Sequence, residues 1–363
     1  MYYRLNRLLQ KIKHIKEFEY WPYGVFYIPL YFYGFYLAFK SRSLMYFSAT
    51  NPGMKYGGVM GESKIKVLEK ISAKFLPKTV FVQRDASFMD VIYELNLKAI
   101  NFPVIAKPNI GERGKGVEKI ESDSALKAYL QLHKEDIIIQ EFIEYPLEIG
   151  VLYYRYPHHS TGHISSVVLK EFLEIKGDGK STLAELIQAK SRAKGRHAYL
   201  KEKYINDMDD IVVKDQSIML EPIGNHCRGT KFLNGNHLIN DKLKKVFDQI
   251  SREIEGYYYG RFDLKVKSLE DLYEGKNIRI MELNGVSSEP AHIYDPKMKL
   301  WHAYRDLLQH ALTIQKISAA NHKLGVPYTP LKSFLIDLKK HLFPTNDQTR
   351  NSEVDELKVE GLI

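Results

Sequence analysis

The sequence predicts a mixed α/β (α+β) fold, because short apolar runs alternate with segments of helical periodicity. The runs at 102–108 and 137–143 have the length and composition of buried strands. The segment 241–255 is the clearest helix, since its apolar residues recur on one face: Leu243, Val246, Phe247, Ile250 and Ile254. A chain of 363 residues, 44% hydrophobic and 27% charged, can form two or three domains around a sizeable core. Its single cysteine, Cys227, excludes an internal disulfide and fits a reducing compartment.

The remaining elements follow from the same signals of periodicity and turn residues. Before residue 100 we expect a strand at 44–49, a turn at 51–53, a helix at 61–72, a strand at 78–83 and a helix at 87–97. Between residues 150 and 225 we expect strands at 150–156, 163–170 and 217–222, and a helix at 183–189. At the C-terminal end we expect helices at 300–317 and 331–342, then a loose polar tail at 345–363.

The first 42 residues differ in composition from the rest of the chain. Seven basic residues stand against two acidic ones, which gives +5 of the total formal charge of +9. Residues 2–16 place basic and apolar side chains at helical spacing, and residues 20–39 hold eleven aromatic side chains and no charge. This local asymmetry argues against a broad nucleic-acid-binding surface, so we expect no nucleic acid partner.

Residues 1–42 are therefore interpreted as an arm that contacts the inner leaflet of the cytoplasmic membrane. The uncharged stretch is long enough to span a bilayer, but Pro22 and Pro29 break helices and tyrosine prefers the bilayer interface. Basic residues on both sides favour a hairpin bent near Pro29, with both ends in the cytoplasm. The alternative is an aromatic arm that packs on the enzyme itself or on the second subunit of a homodimer.

Two polar stretches near the C-terminal end, both typical of strands, indicate a metal site. Because side chains alternate along a strand, Arg261, Asp263 and Lys265 share one face of the first stretch. Glu282 and Asn284 share one face of the second stretch. If the two strands pair, three oxygen ligands and an arginine converge in a way that suits Mg²⁺. Taken alone, the pattern favours the polar face of an ordinary hairpin.

The upstream segments favour a phosphate site. A buried strand ends in Lys107 and is followed by a loop that contains Gly111, Gly114 and Gly116. Glycines let backbone N–H groups approach phosphate oxygens, and a cation neutralises the phosphate charge. The loop matches neither the P-loop nor the Rossmann fingerprint. A second apolar strand then passes into a polar hinge that precedes Glu148.

Together these motifs resemble the ATP-grasp superfamily, in which a strand lysine, a glycine-rich loop, a hinge with a later glutamate, and the R-x-D and E-x-N pairs occur in this order. The resemblance covers residues 60–305. The chain is similar to D-alanine–D-alanine ligase and to the ligase portions of cyanophycin synthetase and bifunctional glutathione synthetase, and residues 175–187 look like a segment of the last two. The resemblance implies an ATP-grasp fold in which two α/β subdomains clasp ATP and Mg²⁺, here with a reduced N-terminal domain.

The resemblance assigns most of these residues to the nucleotide. Lysines and loop glycines would face the phosphates: Lys64, Lys107, Lys115, Lys170, Gly114 and Gly116. Hinge residues would face adenine and a later glutamate the ribose: Glu141, Phe142, Ile143 and Glu148. Lys66 competes with Lys64 for its role. The alternative is that Lys64, Lys115 and Glu148 are ordinary solvent-exposed side chains.

The resemblance also implies the chemistry. The ligands of Mg²⁺ would be Asp263, Glu282 and Asn284. Arg261 would stabilise charge on the transferred phosphoryl group or the intermediate. Arg228 is a candidate for contact with the acyl phosphate or the substrate, with a surface arginine as the alternative. Residues 287–289 follow the metal asparagine at a position where related enzymes bind substrate.

The implied function is an ATP- and Mg²⁺-dependent carboxylate–amine ligase that acts through an acyl phosphate and produces ADP. Its substrates would be a small-molecule or lipid-linked acid and amine, and the protein would be cytoplasmic and peripheral on the membrane. The alternatives are an ATP-grasp kinase, a carboxylate–thiol ligase, and a non-catalytic nucleotide-binding protein docked at a membrane. The expected domains are an arm at 1–42, a reduced N-terminal segment at 43–100, ATP-grasp subdomains at 101–143 and 144–305, and C-terminal helices with a tail at 306–363.

Overall fold

The structure is a computed structural model that describes residues 18–111 and 114–343. It confirms the predicted α/β class, with two lobes that are both built on antiparallel sheets. The predicted helix at 2–16, part of the glycine loop and the predicted tail at 345–363 lie outside the described residues.

We call residues 18–42 the aromatic arm. It consists of a 3-10 turn and two helices: Phe18–Tyr20, α1 (Tyr23–Phe26) and α2 (Ile28–Lys40). Pro29 lies in the first turn of α2, where backbone N–H groups have no helical partner, so the chain bends before the helix and not inside it. The inner face of α2, which includes Leu37, packs against the C-terminal helix at 300–323.

The next segment, residues 43–78, connects the arm to the first lobe with little regular structure. It contains 3-10 turns and one short helix: Tyr46–Ala49, Lys55–Gly57, Ala73–Phe75 and α3 (Lys64–Leu68). The predicted strand at 44–49 is wrong. Backbone carbonyls here bind side chains instead of a neighbouring strand, because Asn321 Nδ2 donates to the carbonyls of Ala49 and Thr50 at 2.9 and 3.1 Å.

The first lobe is a four-stranded sheet with two helices on one face. Its elements are β1 (Thr79–Val82), α4 (Phe88–Leu97), β2 (Val104–Pro108), β3 (Glu118–Ile120), α5 (Asp123–Leu132) and β4 (Ile137–Glu141). The strand order is β1-β4-β2-β3. Ser87 and Asp90 cap α4 reciprocally, so the helix begins at Phe88, one residue after the predicted start. The helices pack on the sheet through Val91, Leu95 and Leu126.

The second lobe is larger. Its elements are β5 (Leu147–Tyr154), β6 (His163–Glu171), β7 (Leu173–Lys176), α6 (Leu183–Ala189), α7 (His197–Lys203), β8 (Ser217–Glu221), β9 (Lys231–Asn234), α8 (Asp241–Arg252), β10 (Tyr259–Val266), α9 (Leu269–Glu274) and β11 (Ile278–Asn284). The main sheet has the order β11-β10-β5-β6-β9, and β7 pairs with β8. Three 3-10 turns complete it: Ser191–Arg196, His226–Arg228 and Asn236–Leu238.

The strands β10 and β11 are antiparallel neighbours, and their connection is longer than a tight turn. Helix α9 intervenes and ends at Gly275, whose φ of 68° lies in the left-handed region that favours glycine. Helix α8 supports these strands, because Leu243, Phe247 and Ile250 pack in the same core as Phe262.

The chain ends with a 3-10 turn and two helices: Ala291–Tyr294, α10 (Leu300–Lys323) and α11 (Leu331–Leu342). Helix α11 has the predicted bounds, α10 runs beyond the predicted end at 317, and α3 is shorter than the predicted helix at 61–72. Within the described part of the chain, no helix has both the length and the apolar composition needed to cross a bilayer.

Asn51 joins the connecting segment to β10, and we expect its loss to destabilise the fold. Its buried Nδ2 donates to the carbonyls of Gly57 and Tyr259 at 3.0 and 2.7 Å, and its Oδ1 accepts from the N–H groups of Tyr258 and Tyr259 at 2.8 and 2.9 Å. Asn51→Ala should lower the free energy of unfolding by about 3 kcal/mol or more, because several buried backbone groups lose their partners. Urea unfolding measures this change. Asn96→Ala, at an exposed position on α4, is the control, and equal midpoints for the two variants would contradict the prediction.

Candidate active site

A cleft of about 810 Å³ lies between the two lobes. Residues of both sheets and of the glycine loop line it. Residues 287–289 lie there, as do thirteen of the fifteen residues that the resemblance assigns to the nucleotide, the metal or the transferred group: Lys64, Lys107, Gly114, Lys115, Glu141, Phe142, Ile143, Glu148, Lys170, Arg261, Asp263, Glu282 and Asn284. Two predicted residues, Gly116 and Arg228, do not line the cleft.

The acidic residues lie on one face of the sheet. In the register of β10 and β11, Asp263 is directly opposite Glu282 and Arg261 is directly opposite Asn284. Asn284 Nδ2 donates to Asp263 Oδ2 at 3.2 Å. A bulge follows Asp263, since the next pair is Leu264 with Ile280. The structure therefore brings the three predicted metal ligands and the arginine together.

Asp263 is buried and is balanced by two cations. Arg261 donates to its Oδ2 from Nε at 3.1 Å and from Nη2 at 3.0 Å, and Lys170 Nζ lies 3.1 Å from its Oδ1. Burial alone would raise the pKa of Asp263, but these cations outweigh burial and lower the pKa to about 2. Lys170 also donates to Glu148 Oε1 at 2.9 Å, and both carboxylates raise its pKa against the effect of burial. Asp263, Arg261 and Lys170 are therefore charged at neutral pH.

The donor set fits a divalent cation with few protein ligands. Glu282 faces the cleft, and among the described residues its carboxylate has no hydrogen bond or ion pair. Two carboxylates and the amide oxygen of Asn284 are hard oxygen donors, which Mg²⁺ prefers, and Mg²⁺ keeps further positions for water and phosphate. Within residues 18–111 and 114–343, no three His, Cys, Asp or Glu side chains form a protein-only metal cage.

Lys107 lies at the end of β2 and reaches across to the other lobe. Its Nζ donates to the carbonyl oxygen of Met281 at 2.9 Å, which is its single hydrogen bond among the described residues. Burial lowers its pKa to about 8, against the opposing influence of Glu282. A buried ammonium with one neutral acceptor is suited to receive an anion.

The glycine loop is held from two sides. Lys64 Nζ donates to the carbonyl of Gly111 at 2.5 Å, and Arg228 Nη2 donates to the carbonyl of Gly114 at 2.7 Å. Gly114 has a φ of 74°, and a Cβ there would lie 2.5 Å from Asn225 Nδ2. Arg228 therefore positions the loop from outside the cleft. At the end of the loop, the carbonyl of Gly116 accepts a hydrogen bond from Tyr129 Oη at 2.7 Å.

The hinge is contacted by a lysine of β10 that sequence reasoning did not assign to the site. Lys265 Nζ donates to the carbonyl of Ile143 at 2.9 Å and lies 5.0 Å from the ring centre of Phe142. Burial lowers the pKa of Lys265. The available signal was strand alternation, which places Lys265 on the same face as Arg261 and Asp263.

The aromatic arm also lines the cleft, which the sequence did not predict. The buried carboxylate of Glu19 lies between Arg192 and His226, with Arg192 Nη2 at 2.7 Å and His226 Nε2 at 3.2 Å from its Oε2. These partners lower the pKa of Glu19 although burial opposes them. Further along the arm, Tyr27 Oη lies 3.2 Å from Tyr294 Oη. Residues 18–27 and the inner face of α2 thus pack on the enzyme itself, which was the alternative expectation for the arm.

The sequence and the architecture have known counterparts. A model of the tubulin-tyrosine ligase family matches residues 58–151, which is less than half of the chain and ends before Asp263. This family is related to the ATP-grasp proteins, so the predicted resemblance to that superfamily is confirmed. No curated protein matches the chain in sequence.

Several solved structures are similar to the chain. The D-Ala:D-Ser ligase VanG of Enterococcus faecalis is 14% identical, with 72% of this chain and 62% of that chain covered and a TM-score of 0.41. The D-alanine–D-alanine ligase of Bacillus anthracis is 15% identical, with 78% and 72% covered and a TM-score of 0.41. The bifunctional glutathione synthetase of Pasteurella multocida is 18% identical, with 69% and 35% covered and a TM-score of 0.36. The chain thus spans less than two thirds of the first and about a third of the last.

Gly150 on β5 keeps the space around Asp263 open, and we expect its replacement to strain the charge cluster. A Cβ at this position would lie 2.7 Å from Val168 Cγ1 and 3.2 Å from Asp263 Oδ1. Gly150→Ala should lower the free energy of unfolding by about 1–3 kcal/mol, because neither neighbour can move freely in the packed sheet. Gly195→Ala, where no atom lies within 4 Å, is the control. Thermal unfolding of both variants tests this, and an unchanged melting temperature for Gly150→Ala would refute it.

Proposed function

We propose that the protein is an ATP- and Mg²⁺-dependent carboxylate–amine ligase that acts through an acyl phosphate. The observation that carries this proposal is the convergence of Asp263, Glu282 and Asn284 with Arg261 and Lys107 in one cleft. Oxygen ligands next to fixed cations suit a nucleotide whose phosphates need neutralisation. The resemblance to the ATP-grasp superfamily supports the same reading.

In the proposed reaction, a substrate carboxylate takes the γ-phosphoryl group of ATP and becomes an acyl phosphate, and ADP leaves. An amine then attacks the acyl carbon, phosphate leaves, and an amide remains. Mg²⁺, when bound at Asp263, Glu282 and Asn284, would neutralise phosphate charge. The reaction needs no covalent enzyme nucleophile, so the protein acts by positioning its substrates and stabilising charge.

The residues of the cleft divide these tasks. Lys107 and the glycine loop would hold the phosphates, and Phe142 and Ile143 would flank the adenine, with Lys265 fixing the carbonyl of Ile143. Arg261 is already oriented by its two bonds to Asp263 and would stabilise charge on the transferred group without reorganising.

Trapping with hydroxylamine tests the proposal. The full chain is incubated with ATP, Mg²⁺ and panels of candidate acids, and both ADP and hydroxamate are measured. Hydroxamate that depends on an acid, ATP and Mg²⁺ supports the ligase. ADP with a phosphorylated alcohol and no hydroxamate would indicate a kinase, and a thioester formed with added thiols would indicate a thiol ligase. Nucleotide binding without ADP release would indicate a non-catalytic protein.

Glu282→Gln should abolish turnover without affecting stability. Because the Glu282 carboxylate forms no hydrogen bond or ion pair among the described residues, its replacement should change the urea midpoint little, while turnover falls at least about a hundredfold. Asp263→Asn should behave differently, since it leaves Arg261 and Lys170 uncompensated and costs about 3 kcal/mol of stability. Glu174→Gln, at an exposed position of β7, is the matched control. Full activity in Glu282→Gln would remove this residue from the metal site.

The affinity for ATP should fall with rising pH because of Lys107. Its pKa is lowered from 10.5 to about 8, so the free protein loses this ammonium as the pH rises from 7 to 9. ATP should then bind roughly tenfold more weakly at pH 9 than at pH 7 if the charged form is required. Lys107→Arg stays charged over this range and should have a flatter profile, and Lys107→Ala should bind weakly throughout. Calorimetric titration measures all three. A flat profile for the unaltered protein would exclude Lys107 from the phosphate site.

A further inference from the structure

Helix α2 has an exposed aromatic face that the proposed ligase activity does not use. Ile28, Phe32, Phe35 and Phe39 recur at the spacing i, i+4, i+7 and i+11, so they form one stripe along the helix. The three phenylalanines are 74%, 67% and 85% exposed. Exposed phenylalanine side chains in such a continuous stripe are a mark of an interaction surface. We call Ile28, Phe32, Phe35 and Phe39 the outer stripe.

The opposite side of α2 is fixed to the body of the protein. Leu37 and Ala38 are buried in a cluster with residues of α10. Ser41, directly after the helix, accepts a hydrogen bond at 3.1 Å from Gln315 Nε2, also on α10. The outer stripe is therefore presented by a helix that is held in place on its inner side.

The sequence on both sides of the outer stripe is predominantly basic. No Asp or Glu occurs from Tyr20 to Gly61, whereas Lys40 and Arg42 follow the stripe directly. Both are exposed, and among the described residues neither forms an ion pair. On the other side, residues 1–17 add five basic side chains and one acidic one. The stripe thus lies between two basic stretches, a charge pattern complementary to an anionic surface.

We propose that the outer stripe docks on an anionic phospholipid bilayer, with α2 lying along the membrane surface. The helix has 13 residues and so is about 20 Å long, too short to cross a hydrocarbon core of about 30 Å. An amphipathic helix with aromatic residues on one side and basic residues at its ends binds at the interface by burial and by attraction to anionic lipids. Tyr31 and Tyr36 border the stripe, and their amphipathic rings suit the headgroup region.

Vesicle sedimentation tests the proposal with the full chain. Vesicles of phosphatidylcholine alone are compared with vesicles of phosphatidylcholine mixed with phosphatidylglycerol, at low and high salt. The protein should sediment with the anionic vesicles, and less so at high salt. The triple variant F32S/F35S/F39S should bind them at least about a hundredfold more weakly, because it removes three apolar anchors.

The matched control is the triple variant M89S/Y93S/L97S on α4, whose side chains are 70%, 66% and 67% exposed. It should bind vesicles as the unaltered protein does, and both variants should keep their melting temperatures. The single variant F39S, at the most exposed position, should weaken binding by itself.

Two results would overturn the proposal. The first is a protein that does not sediment with anionic vesicles, or binds equally well with and without the stripe. The second is a lipid-free dimer, seen by light scattering, that the stripe variant abolishes while the α4 variant does not. That second result would identify a second copy of the chain as the occupant.

Discussion

The structure around the cleft depends on the compensation of one buried charge, the carboxylate of Asp263. Its partners come from its own strand and from β6, since Arg261 and Lys170 both lie within 3.1 Å of its oxygens. Lys170 is shared with Glu148 on β5, so three strands contribute to one charge cluster. Removing a single member of such a buried set costs about 3–5 kcal/mol, because a charge is left unpaired. A slip of β10 by one residue would turn Asp263 to the other face, so the same electrostatics select the strand register.

Much of the candidate site could be predicted because strand alternation is a local property. The spacing of Arg261, Asp263 and Lys265 fixes their common face whatever the strands beside them are. The spacing does not reveal strand order, so the ion pair of Lys170 with Asp263 could not be derived. Strand order and loop packing also decide what Arg228 contacts. The resemblance made Arg228 a candidate for the acyl phosphate or the substrate, and the fold places its Nη2 on the carbonyl of Gly114.

The fold was predictable where an element is long or capped, and less so elsewhere. Helices α6 and α11 begin and end as the sequence predicts, because periodicity and flanking residues agree. Strands β3, β7 and β9 have only three or four residues, too few for a periodic signal. The segment 44–49 has a strand-like composition, but the side chains of α10 satisfy its carbonyls, and tertiary contacts override local preference. In the arm, amino-acid composition alone does not predict that Leu37 is buried and Phe39 is exposed.

A hydrogen bond from Lys107 Nζ to the carbonyl of Met281 joins the two lobes. Met281 directly precedes Glu282, so the same short stretch of β11 carries both a tether to the first lobe and a carboxylate that faces the cleft. An anion that attracts the ammonium competes with this carbonyl for it. The relative position of the lobes would then depend on whether the cleft holds an anion. Binding of an anionic ligand would thus break the hydrogen bond between Lys107 and Met281 and remove this contact between the lobes.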